Sequence, residues 1–297
     1  MRTPDPASID VGGVRIQIAS DLHIDAWQRS GFSVPFVPDS DADALILAGD
    51  QCNGLDPGAM RWLLDLADTK FWPMGIFLVL GNHDHYGLRI DAAGEAWAFL
   101  ETACRRLHVL DNRIVGLPLR SPVGRHLRIA GCTLWSDFRR GNPIEMLAWR
   151  TTPDCLAIQA NGAGRSATPD DLYAAHQADQ SWLQGLEPGS DDSPLLVVTH
   201  HAPSWRSADT RYSSNGAFVS DLDDLVLRLN PLAWVHGHTH AIHDYRIGET
   251  RVLARPIGYP GETVLEGCVE RMDGACVASG LVPCRMTSHT TEEGERT

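Results

Sequence analysis

Five short segments rich in Gly, Asp, Asn and His punctuate this chain, and four of them close runs of apolar residues. They are Ser20-Asp21-Leu22-His23, Gly49-Asp50, Gly81-Asn82-His83-Asp84, Thr199-His200-His201 and Gly237-His238-Thr239-His240. The runs ahead of them read as strands. Val14–Ala19 alternates and is β-branched, whereas Ala44–Ala48, 76–80 and Leu195–Thr199 are continuously apolar, as in strands buried on both faces. Helical spacing appears between them. Met60, Leu63, Leu64 and Ala67 form one apolar stripe in 59–67, and Ala96, Phe99, Leu100 and Ala103 form another in 92–105. This alternation predicts an α/β fold, a sheet covered by helices. In open sheets of that kind ligands bind at the carboxyl ends of the strands, where side chains distant in sequence converge.

Beyond residue 120 the signals are patchier. Residues 127–134 read as a strand and 143–164 as a polar region with Pro143, Pro153, Asn161, Gly162 and Gly164. Thr168 is the expected N-cap of a helix over 169–186, and Ser220 that of a helix over 221–229. A short strand at 233–235 precedes a hairpin of 244–247 and 251–254 across Gly248-Glu249-Thr250. Residues 1–12 read as a flexible N-terminus, 13–284 as one domain and 285–297 as a disordered polar tail.

The five segments carry ligand chemistry. In Asp21-x-His23 and His238-x-His240 the paired residues are two apart, so an extended backbone projects both to one side. A glycine ahead of a ligand residue permits a tight turn and close backbone approach. Carboxylates, imidazoles and one amide oxygen make a borderline-hard set, suited to Mn²⁺, Fe²⁺/Fe³⁺ or Zn²⁺ rather than to a thiolate site. Asn82 is a neutral oxygen ligand and limits the negative charge gathered there. Either His200 or His201 can fill the fourth segment's place; His200, directly behind the strand, is the favoured ligand, and His201 is assigned to substrate or a neighbouring loop.

Taken in order, Asp21-x-His23, Gly49-Asp50-x-x-Asn53, Gly81-Asn82-His83-Asp84, His200 and Gly237-His238-x-His240 resemble the calcineurin-like metallophosphoesterase family over residues 14–260. The resemblance implies a four-layer α/β/β/α sandwich, two facing mixed sheets flanked by helices. It implies two divalent metals, one held by Asp21, His23, Asp50 and His240, with Asp50 bridging to a second completed by Asn82, His200 and His238. It also implies hydrolysis of a phosphomonoester or phosphodiester: coordination lowers the pKa of a bridging water, which attacks phosphorus while the cations stabilise the phosphoryl oxygens. His83 matches the family's catalytic histidine, which protonates the leaving oxygen. Many relatives carry an acid where this chain has Asn53, so Asn53 would orient His83 without a carboxylate's charge.

Composition limits the partners. A formal net charge of −13 with no basic cluster disfavours long nucleic acid, whose affinity rests on Lys and Arg meeting phosphates, and points to a small-molecule or nucleotide phosphoester. No apolar run approaches the ~18–20 residues of a membrane span. The first ten residues lack a secretory apolar core, and the seven cysteines form no C-x-x-C pair, so the expected location is cytoplasmic. For substrate contacts the loop after His200 offers Trp205, Arg206, Arg211 and Tyr212, an arginine fork for phosphate beside aromatic stacking surfaces. The competing classes are a nuclease and a metal-binding scaffold without catalysis. His83 separates the last from an enzyme, because a scaffold has no chemical need for that imidazole.

Overall fold

The computed structural model describes residues 8–120, 124–162, 164–209, 214–262, 264–270 and 276–277. The first sheet holds β1 (Ser8–Val11), β2 (Val14–Ala19), β3 (Ala44–Ala48), β4 (Ile76–Val79) and β5 (Leu107–Val109) in sequential order. Its β1 runs antiparallel to β2, and the rest are parallel. The second sheet contains β6 (Arg113–Pro118), β7 (His126–Cys132), β8 (Leu195–Thr199), β9 (Ala233–His236), β10 (Ala241–Ile247), β11 (Thr250–Ala254), β12 (Leu265–Glu270) and β13 (Cys276–Val277). Their order is β13-β12-β10-β11-β9-β8-β7-β6, with parallel and antiparallel pairs mixed.

Alternation along each strand shows how the layers stack. In β3, Ala44, Ile46 and Ala48 face a core shared with Leu127, Ile129, Leu196, Val198 and Val235 of the other sheet. Leu45 and Leu47 face the opposite way, onto Ala59, Met60 and Leu63 of the helix Pro57–Ala67. The second sheet mirrors this: Val197, Trp234 and Val252 turn outward onto Leu183, Leu225, Val226 and Leu229 from helices. Helix, sheet, sheet and helix therefore form the four layers of an α/β/β/α sandwich. Among the described residues no helix is long and apolar enough to cross a membrane.

Several local expectations are corrected. Ser8–Val11 is not a flexible stretch; it pairs with β2. The stretch 92–105 is two short helices, Ala93–Trp97 and Phe99–Ala103, and the buried face carries Ala93, Gly94, Trp97 and Leu100 while Phe99 is exposed. Trp97 sets that face, since its indole N–H donates to the Asp84 carbonyl at 3.1 Å. The polar region 143–164 contains helices Pro143–Trp149 and Asp154–Ala157, the first with Asn142 as N-cap and Pro143 in the first turn. Ser220 caps no helix: its hydroxyl accepts the Asp137 N–H at 3.0 Å, and the helix Asp223–Leu229 begins later. The expected tail 285–297 lies outside the described residues.

Thr168 does cap the helix Pro169–Gln184, in a full capping box with Asp171. That helix grips the turn behind β7, where Leu134 has φ 69°. Asp179 accepts the Leu134 N–H at 2.8 Å, and His176 Nδ1 donates to the Leu134 carbonyl at 2.8 Å. His176 is thus a buried brace. Burial pushes the Asp179 carboxyl up to about 7 despite its hydrogen bond from Asn112. An unfolded aspartate titrates near about 3.9, so this group's contribution to stability is full below that value and is lost as pH rises through 7. Asp179→Asn removes the effect: urea titrations should show the variant gaining stability relative to wild type between about pH 4 and pH 8. Parallel stability curves over that range would contradict the assignment.

Candidate metal centre

The segments converge because their strands end on one edge of the sandwich and their backbones then turn sharply. Asp21 (φ 53°), His23 (42°), Asp50 (56°), His238 (66°) and His240 (48°) are all left-handed. The extended backbone expected for the two x-spaced pairs is therefore replaced by a coiled one, which costs each non-glycine residue on the order of 1 kcal/mol or more. Cross-strand hydrogen bonds hold it: Asp21 N–H to the Gly49 carbonyl (2.9 Å), His23 N–H to the Asp50 carbonyl (3.0 Å) and His238 N–H to Asp21 Oδ1 (2.9 Å). Two glycines make room. A Cβ at Gly49, itself at φ 89°, would lie 2.1 Å from His200 Nδ1, and one at Gly81 2.1 Å from Asp50 Oδ1.

Two ligand clusters result, sharing Asp50. Asp21, His23, Asp50 and His240 each offer a ligand atom within 4.8 Å of the others, and so do Asp50, His200 and His238. Asn82 stands beside the second: its Nδ2 donates to Asp154 at 3.0 Å, which turns Oδ1 to within 3.0 Å of His200 Nε2. The donor set fits cations. His200 Nδ1 donates to the Ala48 carbonyl (2.9 Å) and His240 Nδ1 to Glu262 (2.8 Å), leaving each Nε2 as a lone pair. Those lone pairs face other acceptors, Asn82 Oδ1 and, at 3.1 Å, His23 Nε2. Asp21 Oδ2 is buried without a hydrogen-bond partner. Acceptors crowded in this way repel unless a cation lies between them.

Protonation follows the same logic. Burial alone would lower the His240 imidazole, but Asp21 and Glu262 hold it up at about 10. His200 is held at about 9 by Asp50 against the same burial. In both, a proton takes the place that suits a metal. His23 is pushed down to about 3 by burial, with Asp50 opposing, and stays a neutral ligand.

Beside the clusters stands His83. Its N–H donates to Asp50 Oδ1 (2.9 Å), and its Nδ1 donates to Asn53 Oδ1 at 2.6 Å. These groups open into a cavity of 360 Å³ walled by Tyr86, Asp154, Phe218 and Tyr259. A larger cavity of 560 Å³, near Leu195 and Leu232 at the opposite ends of the strands, is lined by none of the candidate residues.

A model of the calcineurin-like phosphoesterase family matches residues 14–241. The chain belongs to that family. An uncharacterised protein of Acanthamoeba polyphaga mimivirus is 24% identical to this phosphoesterase over 271 residues, spanning 83% of this chain and 92% of the viral one. A phosphopantetheinyl hydrolase from Mycobacterium tuberculosis shares its fold, with a TM-score of 0.61 and 20% identity over 82% of this chain and 89% of that one.

Two of the substrate contacts expected in this phosphoesterase, Trp205 and Arg206, do not line the cavity. Trp205 lies under the Arg139 guanidinium, 5.1 Å from it. Arg206 covers the Tyr245 ring at 4.7 Å and donates to the Arg246 carbonyl, so both residues are engaged away from the cavity. His201 is buried behind the second cluster, its ring 4.1 Å from that of His238. Arg211 and Tyr212 fall outside the described residues. His236 is structural, paired with Ser207 at 2.9 Å, and His243 is buried beside it.

Three residues of the site escaped sequence reasoning. Asp154 accepts from Asn82 and, at 2.6 Å, from the Tyr86 hydroxyl. Tyr259 and Glu262 lie in the segment that follows β11. An aromatic and an acid set among Gly258, Pro260 and Gly261, directly behind a strand, repeat the pattern of the other segments and were the available signal. Glu262 braces His240 through a charged hydrogen bond, so Glu262→Gln should weaken metal affinity roughly 10-fold or more in calorimetric titration with Mn²⁺. An unchanged isotherm would remove Glu262 from the centre.

Proposed function

We propose that this phosphoesterase hydrolyses a small-molecule phosphomonoester or phosphodiester at the two clusters joined by Asp50. The observation that supports the reading is a pair of Asp/His clusters sharing Asp50, with an imidazole, His83, standing at their open side. Asp21, His23, Asp50 and His240 would hold one cation, and Asp50, Asn82, His200 and His238 the other. Cations in these places, Mn²⁺, Fe²⁺/Fe³⁺ or Zn²⁺ by the donor types, would supply an activated water and charge neutralisation at phosphorus.

The chain's own residues do the rest. Asn53 accepts from His83 Nδ1, which sets the tautomer and turns Nε2 toward the cavity. From there, a protonated Nε2 delivers its proton to the departing oxygen. Asp50 fixes the His83 backbone by accepting its N–H, so the acid and the shared ligand move as one unit. Asn82 adds an oxygen ligand without adding charge. The cavity's 360 Å³ suits a small substrate, and a chain of net charge −13 is a poor partner for a nucleic-acid polymer.

Purified protein loaded with Mn²⁺ should turn over p-nitrophenyl phosphate or bis-p-nitrophenyl phosphate, and the ratio of the two rates assigns monoester or diester preference. His83→Ala should retain its metals and lose roughly 10²–10⁴ in kcat, the usual worth of a general acid. Full activity in that variant would sink the role of His83. No turnover by the metal-loaded wild type on any phosphoester would favour a scaffold.

A further inference from the structure

His83 Nδ1 is spoken for by Asn53, and the ring's other nitrogen also has a protein partner. The Tyr259 hydroxyl lies 2.9 Å from His83 Nε2. A second phenol, Tyr86, is 3.5 Å from the same nitrogen and stacks on the imidazole with centroids 4.4 Å apart. The two phenols are not equivalent. Tyr86 gives its proton to Asp154 at 2.6 Å, so only lone pairs of its oxygen face His83. Tyr259 has its proton free for Nε2 of the neutral ring, whose Nδ1–H tautomer presents an acceptor there; once Nε2 takes up the proton it delivers, the phenol oxygen accepts instead.

The Tyr259 backbone is as firmly placed as its hydroxyl. Ile257 N–H donates to the Ser20 carbonyl (2.9 Å) and Gly258 N–H to the Asp21 carbonyl (3.0 Å). The Trp27 indole N–H caps the Gly258 carbonyl at 3.0 Å. Tyr259 N–H donates to Glu262 Oε2, the same oxygen that receives His240 Nδ1. The phenol ring lies flat on His23, centroids 3.9 Å apart at 18°. One strap thus ties the first ligand cluster to the His83 ring.

We infer that Tyr259 is a positioning residue for His83: its hydroxyl pins Nε2 at the cavity, and with Asn53 at Nδ1 it fixes the rotation of the imidazole. The inference rests on the phosphohydrolase reading for its catalytic consequence, but the contact itself does not. Asn53 and the Tyr86 stack together still leave the ring free to rock in its own plane about the Nδ1 hydrogen bond. The second anchor confines Nε2 to the place from which a leaving oxygen is reached, and an incoming substrate oxygen displaces the hydroxyl rather than reorienting the ring.

Tyr259→Phe tests this, because the phenyl ring keeps its stack on His23 and removes only the hydroxyl. In the zinc-loaded protein with ¹⁵N-labelled histidine, assigned by comparison with His83→Ala, the His83 Nε2 resonance should move toward that of an unbonded ring acceptor. Tyr86→Phe should leave it in place, since that phenol's proton goes to Asp154. In the Mn²⁺-loaded enzyme Tyr259→Phe should lower kcat on the order of 10-fold for esters with poor leaving groups, and much less for p-nitrophenyl esters, with KM and metal content unchanged. An unmoved Nε2 resonance overturns the inference. So does an equal loss for good and poor leaving groups, which marks a general structural defect. Absence of wild-type turnover defeats the hydrolase reading alone, and the resonance still decides whether Tyr259 holds His83.

Discussion

The buried carboxylate of Asp50 is the group on which the rest of this structure depends. It is 1% exposed, belongs to both ligand clusters, and accepts the N–H of His83. An ionised carboxylate removed from water is costly unless it is paired. Here burial would raise its pKa, but the imidazoles around it, His200 first, hold it well below the usual range. The neighbouring backbone serves the same end. Gly81 allows the Asn82–His83 turn to close on Asp50, and Asp84 bridges the two turns by accepting the N–H groups of Gln51, Cys52 and Gly81. Parallel strands β2, β3 and β4 deliver these turns side by side.

How legible this was depended on how local the determinant is. β2, β3 and β8 are apolar runs bounded by polar residues, and the structure keeps those bounds. The ligand segments were legible because residue type and strand-end position coincide in each. Their backbone was not: φ near 50° at Asp21, His23 and Asp50 is imposed by contacts such as His23 N–H to the Asp50 carbonyl, which span the fold. The same holds for His176, which looks like a surface residue until its partner, the Leu134 carbonyl 42 positions away, is known.

The substrate side was the least legible part, for a physical reason. Trp205 and Arg206 look like phosphate and base contacts by type, but Arg139 and Tyr245 offered them cation–π partners within reach. Conversely, the cavity walls come from segments with weak periodicity. Asp154 opens a four-residue helix, and Tyr259 sits in a Gly- and Pro-rich strap whose path is dictated by hydrogen bonds to Ser20, Asp21 and Trp27. A residue placed by long-range backbone contacts leaves little trace in its neighbours along the chain.

The proposed hydrolysis requires two cations that share Asp50. Titration of the metal-free protein with Mn²⁺, followed by electron paramagnetic resonance, tests it most directly. Two equivalents should bind, and the second should convert an isolated-ion signal into the spectrum of an exchange-coupled pair, lost again in Asp50→Asn. One equivalent with only an isolated-ion spectrum, or two ions without coupling, would contradict it.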